Sequence, residues 1–307
     1  MKKIFTMFLL CAGTIYHTSA FACDYHGLVD MSETEWTWNY ILENLKEEKK
    51  SVDGDTYVVS LKGNGTDDRL HKNNYRETIV FIPKTTKASK PVDIIFYFHG
   101  LGGFKERDFK KRTLKHTTSV PSDKNYILVI PEMPWSRNTS TPRGRQGLVF
   151  TKKGEFAAFF RGVDEVVKEH YKKRVQWKKA ILLGHSAGGS ALMSISKSGG
   201  LDWLYRQNII KSMKIIFSDA SYGYWLDIAW KYHNTQTQNT KFIVLTRKGD
   251  RPYKHAKRFL KRFNKQPNNI QHVIFSRRIK HSEIGDGSFK WVYCPENSSG
   301  CGKGKIK

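Results

Sequence analysis

The chain has 307 residues, a formal net charge of +25, 39% hydrophobic and 13% aromatic residues, which is room for one large domain or two small ones. Its mean hydropathy of −0.56 reflects abundant Lys and Arg over an apolar content ample for a core, so a disordered chain is excluded. The only long apolar run, Ile4 to Ala12, is shorter than the ~20 residues of a membrane-spanning helix.

That run follows Lys2 and Lys3 and ends in the small residues Ala20-Phe21-Ala22, the three parts of a secretory signal. Residues 1–22 are therefore expected to be removed, giving a periplasmic or extracellular protein that remains strongly basic. Cleavage leaves Cys23, Cys294 and Cys301. In an oxidising compartment two of them can pair, either Cys294 with Cys301 across the Pro295 and Gly300 turn, or Cys23 with one of them. Cys23 would be the first mature residue, which raises lipidation, although Ala20 stands where a lipoprotein signal has Leu. With no CxxC pair and no HExxH, no metal site is expected.

Next comes "SETEWTWNYILENLKEEKK", with Ser32 and Glu35 in capping-box spacing and Trp38, Ile41, Leu42 and Leu45 at helical intervals. An N-terminal helical segment over 23–54 is the expectation. "TYVVSLKG" and "YRETIVFIP" read as adjacent strands around a Gly- and Asn-containing turn. From Pro91 onward the pattern is short, solidly apolar strands alternating with amphipathic helices, the signature of a parallel sheet covered on both faces. The strands are "VDIIFYFHG", "NYILVIPEM", "KKAILLGHS", "MKIIFSDAS", "TKFIVLTRKGD" and "NIQHVIFSRRIKHS". The helices are "KGEFAAFFRGVDEVVKEHY", "AGGSALMSISKS", "GYWLDIAWKYH" and "RPYKHAKRFLKRFNK". One doubly wound α/β domain over 55–293 is expected, followed by a Cys-containing tail, 294–307. Only residues 220–240 separate Asp219 from the next strand, which leaves no room for a large lid.

In such a sheet, ligands gather beyond the carboxyl ends of the strands. There Gly184-His185-Ser186-Ala187-Gly188 forms a G-x-S-x-G sequence between a strand and a small-residue helix. Side chains at Gly184 or Gly188 would collide with neighbouring backbone, while Ser186 projects its hydroxyl above the sheet. A serine hydroxyl needs a base and an orienting acid, in the chain order Ser, Asp, His. His281, after the last strand, is the expected base; His272 lies within a strand and His255 on a basic helix. Asp250 in "LTRKGDRPY" is the preferred acid, with Asp219 in "IIFSDASYG" in reserve. Asp250 also suits the N-cap of the helix that follows. The oxyanion donors are expected to be the NH of Ala187 and that of Leu101 or Gly102 in "FHGLGGF", His99 to Gly103.

The HG loop, the G-H-S-A-G elbow and the later Asp and His resemble the α/β-hydrolase fold over about Tyr75 to His281. The opening "YRETIVFIP…KPVDIIFYFHGLGG" is loosely similar to secreted esterases of the feruloyl-esterase and polyhydroxyalkanoate-depolymerase kind. The resemblance implies a serine hydrolase that cleaves a carboxylic ester through an acyl-enzyme, without metal or organic cofactor. The excess of basic charge and "FSDASYG" depart from it.

Around the triad, Trp135, Arg137, Arg143 and Arg145 lie in a long loop after the second buried strand, where an arginine could clamp a carboxylate or phosphate. Tyr222 and Trp225 are candidate pocket walls. Basic stretches such as "RPYKHAKRFLKRFNK" would attract an anionic envelope polymer or membrane surface, and export argues against nucleic acid as a specific partner. Two other functions fit the residues: a serine peptidase or amidase acting on an anionic envelope peptide, and a non-catalytic binder of an envelope component or anionic polymer.

Overall fold

The computed structural model describes residues 46–51, 54–62, 75–100, 120–121, 123–133, 149–233, 239–265 and 267–293. The chain divides into two units, 1–44 and 45–307, and all described residues lie in the second. The expected signal segment 1–22, Cys23, Cys294, Cys301 and the tail 294–307 lie outside the described residues.

A nine-stranded sheet has the order β1-β2-β3-β5-β4-β6-β7-β8-β9. Its strands are β1 (Lys46–Ser51), β2 (Gly54–Lys62), β3 (Tyr75–Pro83), β4 (Val92–Phe98), β5 (Tyr126–Pro131), β6 (Trp177–His185), β7 (Ser212–Ser218), β8 (Thr240–Arg247) and β9 (Ile270–Phe275). The pairs from β1 to β3 and β3 to β5 are antiparallel. The remaining pairs are parallel, as the solidly apolar runs require. Among the described residues six helices accompany the sheet: α1 (Glu155–Tyr171), α2 (Gly189–Lys197), α3 (Gly200–Arg206), α4 (Trp225–His233), α5 (Arg251–Leu260) and α6 (His281–Gly287).

The core fills both faces of the sheet. α1 buries Phe156, Phe159, Phe160, Val163 and Val167 at three- and four-residue spacing, and its rings meet Phe96 of β4, with centroids 5.2 Å from Phe156 and 6.0 Å from Phe159. On the other face Ile79, Phe81, Ile95, Leu128, Ile181 and Ile216 pack with Ile284 of α6 and with Phe289 and Trp291 beyond it. Burial of each such side chain contributes roughly 1.5–3 kcal/mol, so the two layers hold every central strand in place.

The expected helix over 23–54 departs from the structure at its end, because Lys46–Ser51 is β1. Beyond Leu45 the helical apolar spacing stops, and antiparallel pairing of Lys46 to Val58 and Glu48 to Thr56 decides the conformation. The sheet thus begins before residue 55. The last expected strand is also shorter: β9 ends at Phe275, and His281 opens α6. Neither α3 nor α6 was expected, since "GLDWLYR" and "HSEIGDG" each start with or contain glycines that read as helix breakers.

At the amino end of β7, Lys214 is 5% exposed and donates to the carbonyls of Val292 (2.9 Å) and Trp291 (3.4 Å). Burial pushes its ammonium down to about 8 from 10.5. Between those values the unfolded chain binds more protons than the folded one, so Lys214 makes stability rise with pH across about 8 to 10.5. Chemical denaturation of the protein and of Lys214→Met at pH 7.5, 9 and 10 should show a rise in the parent that the variant lacks; parallel pH profiles would contradict it.

Candidate active site

The strand order turns at β4, with β5 on one side and β6 on the other. Phe98 at the carboxyl end of β4 is paired with Gly184 near the end of β6, so the crevice at this switch point is bounded by His99-Gly100 and by the elbow. Ser186 has φ +54 and starts a short 3-10 turn, Ser186–Gly188, leading into α2. A β-carbon on Gly188 would stand 2.0 Å from the Phe98 carbonyl oxygen, and one on Gly184 would stand 2.7 Å from the Gly188 oxygen. Both glycines are required by close backbone approach. A non-glycine residue at positive φ costs on the order of 1–3 kcal/mol, a cost borne by the surrounding fold.

Gly100 lies against Ser186, since a β-carbon there would be 3.0 Å from Ser186 Cβ. His99 is buried, accepts from the Met133 backbone NH at Nε2 (3.0 Å) and contacts the Gly100 carbonyl through Nδ1 (2.7 Å). With Nε2 accepting, Nδ1 carries the proton, so the ring ties the start of the glycine loop to the end of β5. Leu101 and Gly102 lie outside the described residues. Ala187, the other expected oxyanion donor, is 2% exposed in the elbow turn.

His281 is the first residue of α6, and its Nδ1 lies 2.6 Å from Asp219 Oδ2. Asp219 is fully buried, sits at φ +47 directly after β7, and receives the Arg247 backbone NH on its other oxygen at 3.4 Å. The carboxylate fixes the tautomer: Nδ1–H donates to Asp219, and Nε2 remains free to accept a proton.

Asp250, the preferred acid from sequence, does not reach His281. Its Oδ2 takes the Arg247 Nε at 2.6 Å and Nη2 at 2.5 Å. Gly249 at φ +91 turns the chain so that the carboxylate folds back onto the end of its own strand. The same Arg247 bonds the Ile279 carbonyl at 3.3 Å, bracing the segment before His281. Asp250 occupies the N-cap of α5 but makes no side-chain cap bond.

Two contacts escaped the sequence reading. The Tyr222 side chain lies near Ser186, and burial raises its pKa, which keeps it protonated. His185, the residue before Ser186, has its Nε2 3.1 Å from the His281 carbonyl oxygen and its ring centroid 4.6 Å from that of His281. Burial pushes His185 down to about 4, so a neutral imidazole packs on His281. Gly285 makes room for it, because a β-carbon there would be 2.8 Å from the His185 ring. The only signal in the sequence is the pair of glycines in "HSEIGDG", the first of which leaves space for a ring. Trp135, Arg137, Arg143 and Arg145 lie outside the described residues. Among the described residues, no group of His, Cys, Asp and Glu is arranged to hold a metal ion.

The fold is an α/β-hydrolase fold. Its basis is the antiparallel entry, the parallel sheet turning at β4, and the strand-elbow-helix around Ser186. No family model matches the chain, and no curated relative does. Among solved structures it is similar to a putative hydrolase from Legionella pneumophila (13% identity, 85% of this chain, 92% of that chain, TM-score 0.49). It is also similar to an S-formylglutathione hydrolase from Agrobacterium tumefaciens (14%, 80% and 95%, TM-score 0.47) and to a feruloyl esterase module from Clostridium thermocellum (12%, 80% and 93%, TM-score 0.46). At such identities the likeness concerns the path of the chain, and the chemistry is read from the site's own geometry.

Proposed function

We propose that the protein is a serine hydrolase that cleaves a carboxylic ester, with Ser186 as nucleophile, His281 as base and Asp219 as the acid that orients it. The observation that carries the reading is the 2.6 Å contact of His281 Nδ1 with a fully buried Asp219, at the strand edge where Ser186 sits on its positive-φ turn.

Ser186 Oγ attacks the ester carbonyl while its proton passes to His281 Nε2; the imidazolium is stabilised by Asp219. The tetrahedral oxyanion takes the NH of Ala187 and an NH of the loop after Gly100. Collapse breaks the acyl-oxygen bond, and His281 returns the proton to the leaving alkoxide. Water, deprotonated by the same imidazole, then releases the acid. Every step uses groups of the chain and no added cofactor. Export belongs to the same reading and is supported by the composition of residues 1–22.

A fluorophosphonate probe should label the protein, and p-nitrophenyl butyrate should be turned over. Ser186→Ala should abolish labelling and lower turnover by on the order of a thousandfold or more. Equal labelling of parent and variant, or peptide cleavage without any ester turnover, would overturn the ester reading.

A further inference from the structure

Beside the nucleophile lies a cleft of about 280 Å³ lined by Tyr222, Gly223, Trp225, Arg251 and His255. It adjoins the proposed chemistry at one wall, because Tyr222 lies near Ser186 and Trp225 stands against Gly189, the first residue of the helix that follows the elbow. Trp225 packs behind the elbow, where a β-carbon on Gly189 would come 2.9 Å from its ring, and its ring meets that of Tyr222 edge-on at 5.6 Å. Gly223, at φ +55, leaves open space where a side chain would project.

The cleft has a charge as well as a shape. Arg251 is exposed and forms no ion pair among the described residues. The carboxylates nearest in sequence are already engaged: Asp250 by Arg247, Asp219 by His281, and Asp227 by Arg262. His255 contacts the Gly223 carbonyl through Nδ1 at 2.8 Å, which turns its other nitrogen away from that bond. Arg258 reaches the same carbonyl at 3.1 Å and stacks over Tyr224 at 4.9 Å. Two aromatic rings, a guanidinium without an ion pair among the described residues and a second cation near Gly223 therefore surround a space whose Tyr222 wall stands near Ser186.

We propose that this cleft is a subsite for a carboxylate carried by the ester substrate, with Arg251 as the group that recognises it. The inference rests on the proposed ester hydrolysis and names its substrate class: an ester with an acidic group on the portion that enters the cleft, held by the guanidinium while the aromatic walls cover the intervening carbons. Because the whole chain carries +25, a general field also draws anions to it. The local effect is separable from the field by position.

The test uses matched pairs: an aryl ester of a dicarboxylic acid with its far carboxylate free or capped as a methyl amide, and butyrate esters of 3-hydroxybenzoate and 3-hydroxybenzamide, covering the acyl and alcohol sides. In at least one pair the parent should favour the charged member in kcat/KM by about tenfold, the scale of one charge-assisted hydrogen bond. Arg251→Gln should remove the preference while leaving the neutral member within about twofold. Lys84→Gln, an exposed lysine at the opposite end of the sheet, removes the same charge and should keep the preference. Equal loss in both variants, or no charge preference in either pair, overturns the subsite while ester hydrolysis stands. Absence of any Ser186-dependent turnover of the neutral esters overturns the hydrolysis itself.

Discussion

Asp219→Asn will lower kcat for an ester substrate by roughly 10³–10⁴, whereas Asp250→Asn will stay within about threefold of the parent. The first substitution offers His281 Nδ1 an amide that can donate as well as accept. The imidazole can then settle in the tautomer that protonates Nε2, the atom required to take the serine proton. Among the described residues Asp219 meets Nδ1, at 2.6 Å, from a fully buried position. Asp250 is engaged by Arg247, and losing that ion pair loosens only the bracing of the Ile279 segment. Thermal unfolding run in parallel separates a catalytic loss from a folding defect, since Asp219 also accepts the Arg247 backbone NH. A folded Asp219→Asn protein with near-parental kcat, or a larger loss in the Asp250 variant, would reassign the acid.

Mild acid will destabilise this protein as pH falls from about 6.5 towards 4, through buried histidines that fold in the neutral form. His233 is 1% exposed, and its Nε2 lies 2.8 Å from the Ser196 hydroxyl oxygen. Ser196 spends its own proton on the Leu192 carbonyl at 2.6 Å. Nε2 must therefore be the donor, and Nδ1 is left as a bare lone pair with no hydrogen-bond partner. Burial pushes His233 down to about 4 from 6.5. In that window the unfolded chain binds a proton that the folded chain refuses. His233 thus gives full stability above pH 6.5 and loses it as pH falls through 4, by roughly 3 kcal/mol for the single group. His185 and His272, each also pushed to about 4 by burial, act in the same direction and by less, being partly accessible. Urea unfolding between pH 7 and 4 should show this decline, and His233→Gln, which keeps a donor for Ser196, should recover most of its own share. An identical pH slope in parent and variant would remove His233 from the account.

The parallel strands, the elbow and the histidine after the last strand were legible because each depends on local residue type. A run such as "AILL" can be buried on both faces only in a covered sheet, and Gly184 and Gly188 mark backbone approaches that no β-carbon survives. The choice between Asp219 and Asp250 was not legible. Both follow a strand, both stand in a turn, and sequence contains nothing about which carboxylate faces a residue dozens of positions away. The turn at Gly249 and the proximity of Arg247 decide it. Similarly, "KEEKK" carries a helical composition, and its β conformation comes from a partner strand.

What the sequence by itself determined is the class of the fold and the placing of Ser186 on a glycine-flanked turn after a buried strand, since strand periodicity and glycine spacing are short-range constraints written into adjacent residues. What only the tertiary structure decided is which acid meets His281, that His185 packs upon it, and that Arg251 shares a cleft with Tyr222 and Trp225. Those contacts join residues from separate strands and helices. They exist only once the twist and order of the sheet bring the carboxyl ends of β4, β6, β7 and β8 to one edge.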